Sequence, residues 1–389
     1  MNDKQNHPIL SIVIPTKNRY EYLIGCLDSL SCFEGNNVEI VVQDNTENNC
    51  EIVDYLKTRG NDNIKYYHDS SENYSQTDNS NLAIEKCRGS FVCYIGDDDS
   101  VSENIIQYAY LMDRLEIDSI IFSSATYCWP DVFKDCIDTL NIPSWSSSAA
   151  NVPPLDELKR SASHGARMTG FMPCVYHGLV RRDCLEKVRR ISGSYFPGSS
   201  PDIAVAVALS LVIENHFEIN VPIIVNGFGG KSAGGKGLRG QHKAQINEVD
   251  QLPVGVEDRW FKEVPKFWLG ETIWCQSFLE SLTSMNRKDL MNEINYYEMY
   301  ARILYLYPDC SNYVLQSCKG IKRRIKLCLE MIKVGYFALL NKIKKLITKK
   351  DDLCFRGLDS LLAARFLLDD ILGKSSIIKD SLNEIESRI

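Results

Sequence analysis

Over the first third of the chain, short apolar runs alternate with amphipathic stretches. Residues 9–14 read as a buried strand, 15–18 as a turn and 20–30 as a helix. A second strand, 38–42, ends at Gln43-Asp44-Asn45, and 52–57 is helical. Residues 64–68 form a third strand, 81–87 carry helical periodicity, and 91–95 form a fourth strand stopped by Gly96 and three aspartates. Repeated strand–helix units with short apolar strands predict a mostly parallel central sheet with helices on both faces, an α/β fold. Ligands of such sheets bind at the carboxyl ends of the strands. Thr16, Asp44 and Asp97 to Asp99 all lie just past strand ends, so they should gather along one rim.

The middle third is less regular. Residues 120–123 read as a strand, and 126–165, rich in Ser, Pro, Asp and Trp, as a long loop or lid. Strand is expected at 171–180, helix at 182–191 and from 199 to about 214, and strand at 217–225. A Gly-rich basic loop follows over 227–240. Beyond residue 256 the spacing predicts an all-helical C-terminal region, with helices over 260–285, 287–306, 313–346 and 358–372.

The chain has 389 residues, enough for two or three domains or subdomains. Hydrophobic residues make up 44% and charged residues 24%, a globular balance, and a net charge of −7 argues against a nucleic-acid partner. The 14 cysteines include no C-x-x-C pair. With no signal-peptide pattern at the start, they read as reduced thiols in a cytoplasmic protein. No stretch reaches the roughly 20 apolar residues of a membrane span.

Asp97, Asp98 and Asp99 end a hydrophobic strand. Adjacent carboxylates repel unless a cation relieves them, and Mg²⁺ or Mn²⁺ shared with a phosphate suits oxygen ligands. The plainer reading is a solvated turn, with Ser100 or Ser102 capping the next helix. Asp44 can accept the ring N–H of a uracil or another base, or can close its strand as an Asx-turn.

Three segments together carry a family resemblance: Ser11-Ile12-Val13-Ile14-Pro15-Thr16-Lys17-Asn18-Arg19, Val42-Gln43-Asp44-Asn45, and Gly89 through Asp99. In order and spacing this chain resembles the family 2 glycosyltransferases, specifically over 9–112, more weakly to about 245, and not beyond. The resemblance implies a Rossmann-like glycosyltransferase-A fold, a nucleotide-sugar donor (a UDP-sugar is favoured), a Mn²⁺ or Mg²⁺ cofactor and inversion at the anomeric carbon. It places Pro15, Thr16 and Arg19 in the nucleoside pocket and Asp44 at the base. It puts Asp97 and Asp98 at the ribose and diphosphate, and Asp99 on the metal. Ser80-Asn81 stands where many members carry Arg-Asn, which leaves that arginine's contact without a counterpart. The family's general base, an Asp or Glu at a helix start about one hundred residues later, falls on Asp202. Inversion needs one carboxylate to take the acceptor hydroxyl proton. Ser200-Pro201-Asp202 is equally a plain helix N-terminus.

In the family, the region of the Gly-rich loop often folds over the donor diphosphate. Lys231, Lys236, Arg239 or His242 could neutralise the leaving group there, Lys231 and Arg239 being the donor-binding candidates. His242 is a further metal-ligand candidate. The bland alternative is a mobile surface loop.

Residues 319–350 hold eleven basic residues and Glu330 alone as an acid, a charge of +10 against −17 elsewhere. Ile321, Ile325, Leu329, Ile332, Tyr336, Leu339, Leu340, Ile343 and Ile347 repeat at helical spacing. A basic amphipathic helix suits an anionic membrane surface, or an ordinary bundle helix with a solvated basic face.

The division expected is 1–112 for the nucleotide-sugar half and 113–250 for the acceptor half with base and loop. Residues 251–389 are then a helical region contacting membrane or a partner. The function expected is a non-processive transferase of the hexosyl class, moving sugar to a saccharide or lipid-linked acceptor for a bacterial capsule, O-antigen or exopolysaccharide. Its place would be the cytoplasm, at the inner face of the plasma membrane. Asp258-Arg259-Trp260 only echoes the Gln-x-x-Arg-Trp motif of processive synthases. A nucleotidyltransferase would want glycine in the turn after strand one, where 15–19 has none. A non-catalytic carbohydrate-binding protein is the third reading.

Overall fold

A computed structural model describes residues 7–35, 37–60, 62–132, 138–232, 243–347 and 352–389. The N-terminal alternation is β1 (Leu10–Thr16), α1 (Tyr20–Ser29), β2 (Val38–Asp44), α2 (Cys50–Arg59), β3 (Ile64–His68), α3 (Gln76–Glu85) and β4 (Phe91–Tyr94). Helix α3 begins earlier than its apolar spacing suggested, because the Ser75 side chain caps it by accepting from the Asp78 N–H. Then come β5 (Ser100–Val101), α4 (Ile105–Arg114), β6 (Ser119–Cys128), β7 (Thr139–Ile142), β8 (Ala149–Asn151), α5 (Pro154–Ser163), β9 (Gly178–Arg181), α6 (Arg182–Ser192), α7 (Pro201–Leu209) and β10 (His216–Phe228). The remainder is α8 (Gly270–Ser284), α9 (Tyr296–Leu306), α10 (Ser311–Ser317), α11 (Ile321–Ile347), β11 (Leu353–Phe355), α12 (Leu361–Gly373) and α13 (Ile377–Glu386).

One sheet runs through the molecule in the order β11-β7-β6-β9-β4-β1-β2-β3, with β10 beside β5, β6 and β8. Strands β4, β1, β2 and β3 are parallel, as the alternation requires. Past β4 the sheet turns mixed: β9 runs antiparallel to β4 and β6, and β7 antiparallel to β6. The expectation of a mostly parallel sheet therefore holds for the N-terminal half. Among the later strands both directions occur, β10 running parallel to β6 but antiparallel to β5 and β8.

Strand β1 is buried on both faces, and its side chains alternate between two cores. Ile12 and Ile14 join a core with α1, α4, α12 and α13, while Val13 joins one with α3, α6, α7, α8 and α9. Residues 126–165 are not a free lid. They carry β7, β8 and α5, and β8 pairs with β10. Of the strand expected at 171–180, Gly178–Arg181 alone is strand; positive φ at Gly170 and His177 bends the approach. Helix α7 stops at Leu209, since the chain turns back before β10. The first helix expected in the C-terminal region starts at Gly270 rather than at 260, beyond Pro265. The helix expected over 313–346 is broken at Gly320, whose φ is +100°. Strand β11 is a short exception to the helical C-terminal region, and it pairs antiparallel with β7.

Candidate functional site

The turn after β4 is clamped from several directions. Thr16 Oγ1, at the end of β1, donates to Asp97 Oδ2 at 2.6 Å. Arg19 Nη2 lies 3.1 Å from both Asp97 Oδ1 and Asp98 Oδ1, and its guanidinium covers the Tyr22 ring at 5.0 Å. The end of β10 and the residue just past it return two backbone N–H groups: Gly227 donates to Asp99 Oδ1 at 2.7 Å and Gly229 to Asp98 Oδ2 at 2.9 Å. A Cβ on Gly227 would collide with the Asp98 carbonyl, so this approach requires glycine.

The three aspartates differ. Asp97 and Asp98 line a cavity of about 740 Å³, whereas Asp99 does not. Asp99 is fully buried, and its Oδ2 meets Gly96 N, Tyr176 Oη and His177 Nε2 at 2.7, 3.3 and 2.7 Å. Burial works against its ionisation, yet His177 and these donors hold its carboxyl below the usual range. Burial pushes Asp97 up to about 7 against the pull of Arg19, and burial with the Asp99 charge raises Asp98. The metal assignment to Asp99 therefore meets a carboxylate whose two oxygens already accept hydrogen bonds. Asp97 Oδ1 is buried with Arg19 as its ionic neighbour and no hydrogen-bond donor among the described residues.

Asp44 stands apart as well. It is fully buried and does not line the cavity. Its Oδ2 accepts from Tyr20 and Tyr66, each at 2.7 Å, and its Oδ1 from the Thr46 N–H at 2.8 Å. The structure thus makes it a support beneath the rim rather than a wall of the cavity, close to the turn-closing alternative. Ser80 pairs with Tyr94, and the Asn81 Oδ1 accepts from the Tyr195 and Phe196 N–H groups, so neither replaces the missing arginine.

Asp202 does line the cavity, in the first turn of α7. Burial pushes its carboxyl up to about 6; the nearby His177 opposes this and Asp99 adds to it. Ser200 occupies the cap position, but its side chain caps nothing. Its N–H donates instead to Ser277 Oγ at 2.5 Å, while Ser199 donates its N–H and hydroxyl to Glu280 Oε2, both at 2.7 Å. Helix α8 thereby fixes the loop that carries Asp202.

Pro15, Thr16, Arg19 and Lys231 line the same cavity. Lys231 pairs with Glu21 at 2.7 Å, both half-exposed, a pair weak enough for the ammonium to leave for a phosphate. Lys236, Arg239 and His242 lie outside the described residues. Sequence reasoning missed Asn79 and His177. Asn79 lines the cavity with its amide oxygen buried and without a hydrogen-bond partner among the described residues. Its polar place inside α3 was the signal. His177 had none, since it meets Asp99 across 78 positions.

A sheet-rim cavity holding carboxylates, an arginine and a raised-pKa acid is a candidate functional site. Residues 11–134, about a third of the chain, match the family model described as glycosyl transferase family 2. Glycosyltransferase GlyG of Streptococcus pneumoniae serotype 4 is 27% identical over 104 residues, covering 26% of this chain and 34% of that protein. The GalNAc(5)-diNAcBac-PP-undecaprenol beta-1,3-glucosyltransferase of Campylobacter jejuni is 28% identical over 133 residues, 33% of this chain and 38% of that protein. The matched stretch thus spans little more than a third of the length of these curated relatives. Among solved structures, S. aureus TarS in complex with UDP-GlcNAc gives a TM-score of 0.49 at 14% identity, covering 97% of this chain and 91% of that one. Mannosyltransferase PcManGT from Pyrobaculum calidifontis, in complex with GDP-Man and Mn²⁺, gives 0.42 at 12%, covering 94% and 86%.

Proposed function

We infer that the chain transfers a sugar from a nucleotide-sugar, a UDP-sugar being favoured, to an acceptor hydroxyl with inversion. The observation that carries this is the shared cavity: Asp202, with its carboxyl raised to about 6, faces the same space as Arg19, Asp97 and Asp98. Asp202 takes the hydroxyl proton as the acceptor oxygen attacks the anomeric carbon, and the bond to the nucleoside diphosphate breaks on the opposite face. Arg19 and Lys231 hold the diphosphate and meet the charge growing on it. The 15–19 turn and the Asn79 amide oxygen, which can accept a ring N–H, receive the nucleoside. Asp44 acts through Tyr20 and Tyr66, beneath the nucleoside pocket.

Asp97 and Asp98 fit a Mn²⁺ or Mg²⁺ ion. Such ions take one or two protein carboxylates and complete their shell with phosphate and water, and Asp97 Oδ1 is short of donors. When bound, the ion supplies charge that stabilises the leaving diphosphate. His242 remains a proposed additional ligand and Arg239 a proposed diphosphate contact. The acceptor proposed is a saccharide, on a lipid carrier in keeping with the undecaprenol-linked substrate in the name of the Campylobacter relative, and the product a bacterial surface polysaccharide.

The test is donor turnover with a panel of nucleotide-sugars. Turnover should require Mn²⁺ or Mg²⁺ and stop in EDTA. The Asp202→Asn variant should lose about 10²- to 10⁴-fold in kcat while still binding donor. Full activity in EDTA would remove the metal, and unchanged kcat in the variant would remove the base.

A further inference from the structure

Helix α11 carries two apolar stripes, of which the fold uses one. Leu327 and Val334 are buried against the body of the protein. At 100° per residue, Ile325, Leu329, Ile332, Tyr336, Leu339 and Ile343 fall in a band about 80° wide on the opposite side of the helix. All six are exposed, from 42% at Ile343 to 70% at Ile332. A solvated bundle helix would be polar there. Exposed large apolar side chains in one line mark a contact surface.

The borders of the band are basic. Lys322, Lys326, Lys333 and Lys344 fall along one edge and Arg324 and Lys342 along the other, all exposed. Glu330, the single acid between Ile321 and Ile347, pairs with Lys333 at 2.8 Å. Among the described residues no helix is long and apolar enough to cross a membrane. An apolar band flanked by lysine and arginine on a long surface helix is the pattern that lies flat in a lipid interface, the stripe among acyl chains and the cations at the headgroups.

We propose that the exposed face of α11 docks the protein on an anionic lipid bilayer. Charge complementarity selects this occupant over a second copy of the chain, because two copies meeting at this face would bring their basic borders together. The docking is independent of the transfer reaction proposed above.

The experiment is flotation of the full chain with vesicles of phosphatidylglycerol and phosphatidylcholine, against vesicles of phosphatidylcholine alone. The expected result is a partition at least about tenfold greater onto the anionic vesicles, weakened by high salt. The triple variant Leu329→Glu, Ile332→Glu, Leu339→Glu should remain in the soluble fraction. Its helical circular dichroism and melting temperature should stay unchanged, since the packed stripe is intact. The Asp202→Asn variant should float like the native chain, which separates docking from catalysis. Absence from anionic vesicles, equal partition onto neutral ones, or flotation of the triple variant would overturn the proposal. So would self-association that the triple variant abolishes without any vesicle binding, for then a second copy covers the face.

Discussion

Asp202 carries the sharpest expectation at the scale of single residues. In the proposed role of base its working form is the carboxylate, and burial raises its pKa to about 6. The rate should therefore climb about tenfold per unit as pH rises towards 6, and level above it. Stability moves the other way. Over the window between the ordinary aspartate value of 3.8 and about 6, the native state holds a proton that the unfolded chain has released. That group's contribution thus falls as pH rises. Asp202→Asn should flatten this dependence and melt no lower than the native chain at pH 8. Thermal melts and kcat/KM profiles from pH 5 to pH 8 check both; a variant that keeps the acidic limb would assign the limb to another group.

Two glycines separate the demands made by elements. Gly227 lies on β10 where a Cβ would strike the Asp98 carbonyl, while Gly335 lies inside α11 with open space around it. Gly227→Ala should cost about 2 kcal/mol by forcing β10 from the aspartate turn, and should weaken donor binding. Gly335→Ala should gain about 0.5–1 kcal/mol from helix propensity alone. Urea midpoints read both, and equal effects would show that the strand can yield. The same contrast explains what was legible in the sequence. Strands β1, β2 and β4 are buried on both faces, so their apolar runs announce them. Asp97, Asp98, Thr16, Arg19 and Asp202 follow as residues at element ends on one rim. Residues 171–177 are as apolar as a strand, but they reach the core as an irregular loop through positive φ at Gly170 and His177, which periodicity does not encode. Strands β7 and β8 are too short, and too rich in Ser and Asn around them, to stand out. The inward turn of Asp44 and Asp99 depends on Tyr66, His177 and Gly227, partners that no local pattern names.

At the scale of the whole molecule, the C-terminal region is divided between the two faces of the sheet. Helices α8 and α9 pack on the face that mounts Asp202, whereas β11, α12 and α13 belong to the other face. There Ser102 donates to Asp369, Tyr108 meets Ser381 at 2.6 Å, and Arg365 pairs with Asp369 at 2.7 Å while itself only 1% exposed. Leu361, Leu368, Leu372 and Ile385 are fully buried in the same core as Ile12 and Ile14. At about 2 kcal/mol for each such side chain, their loss together approaches the whole stability of an ordinary domain, about 5–15 kcal/mol. A chain ending at Asp352 should therefore fail to fold as a stable unit: lower soluble yield, dye binding to exposed apolar surface, and no cooperative melt. The residues proposed for catalysis all lie before that point, so a self-sufficient N-terminal enzyme would retain turnover on truncation. A cooperative melt near that of the full chain would show that the last helices are an appendage. Loss of the melt together with turnover would show that the final 37 residues complete the core on which the proposed donor site rests.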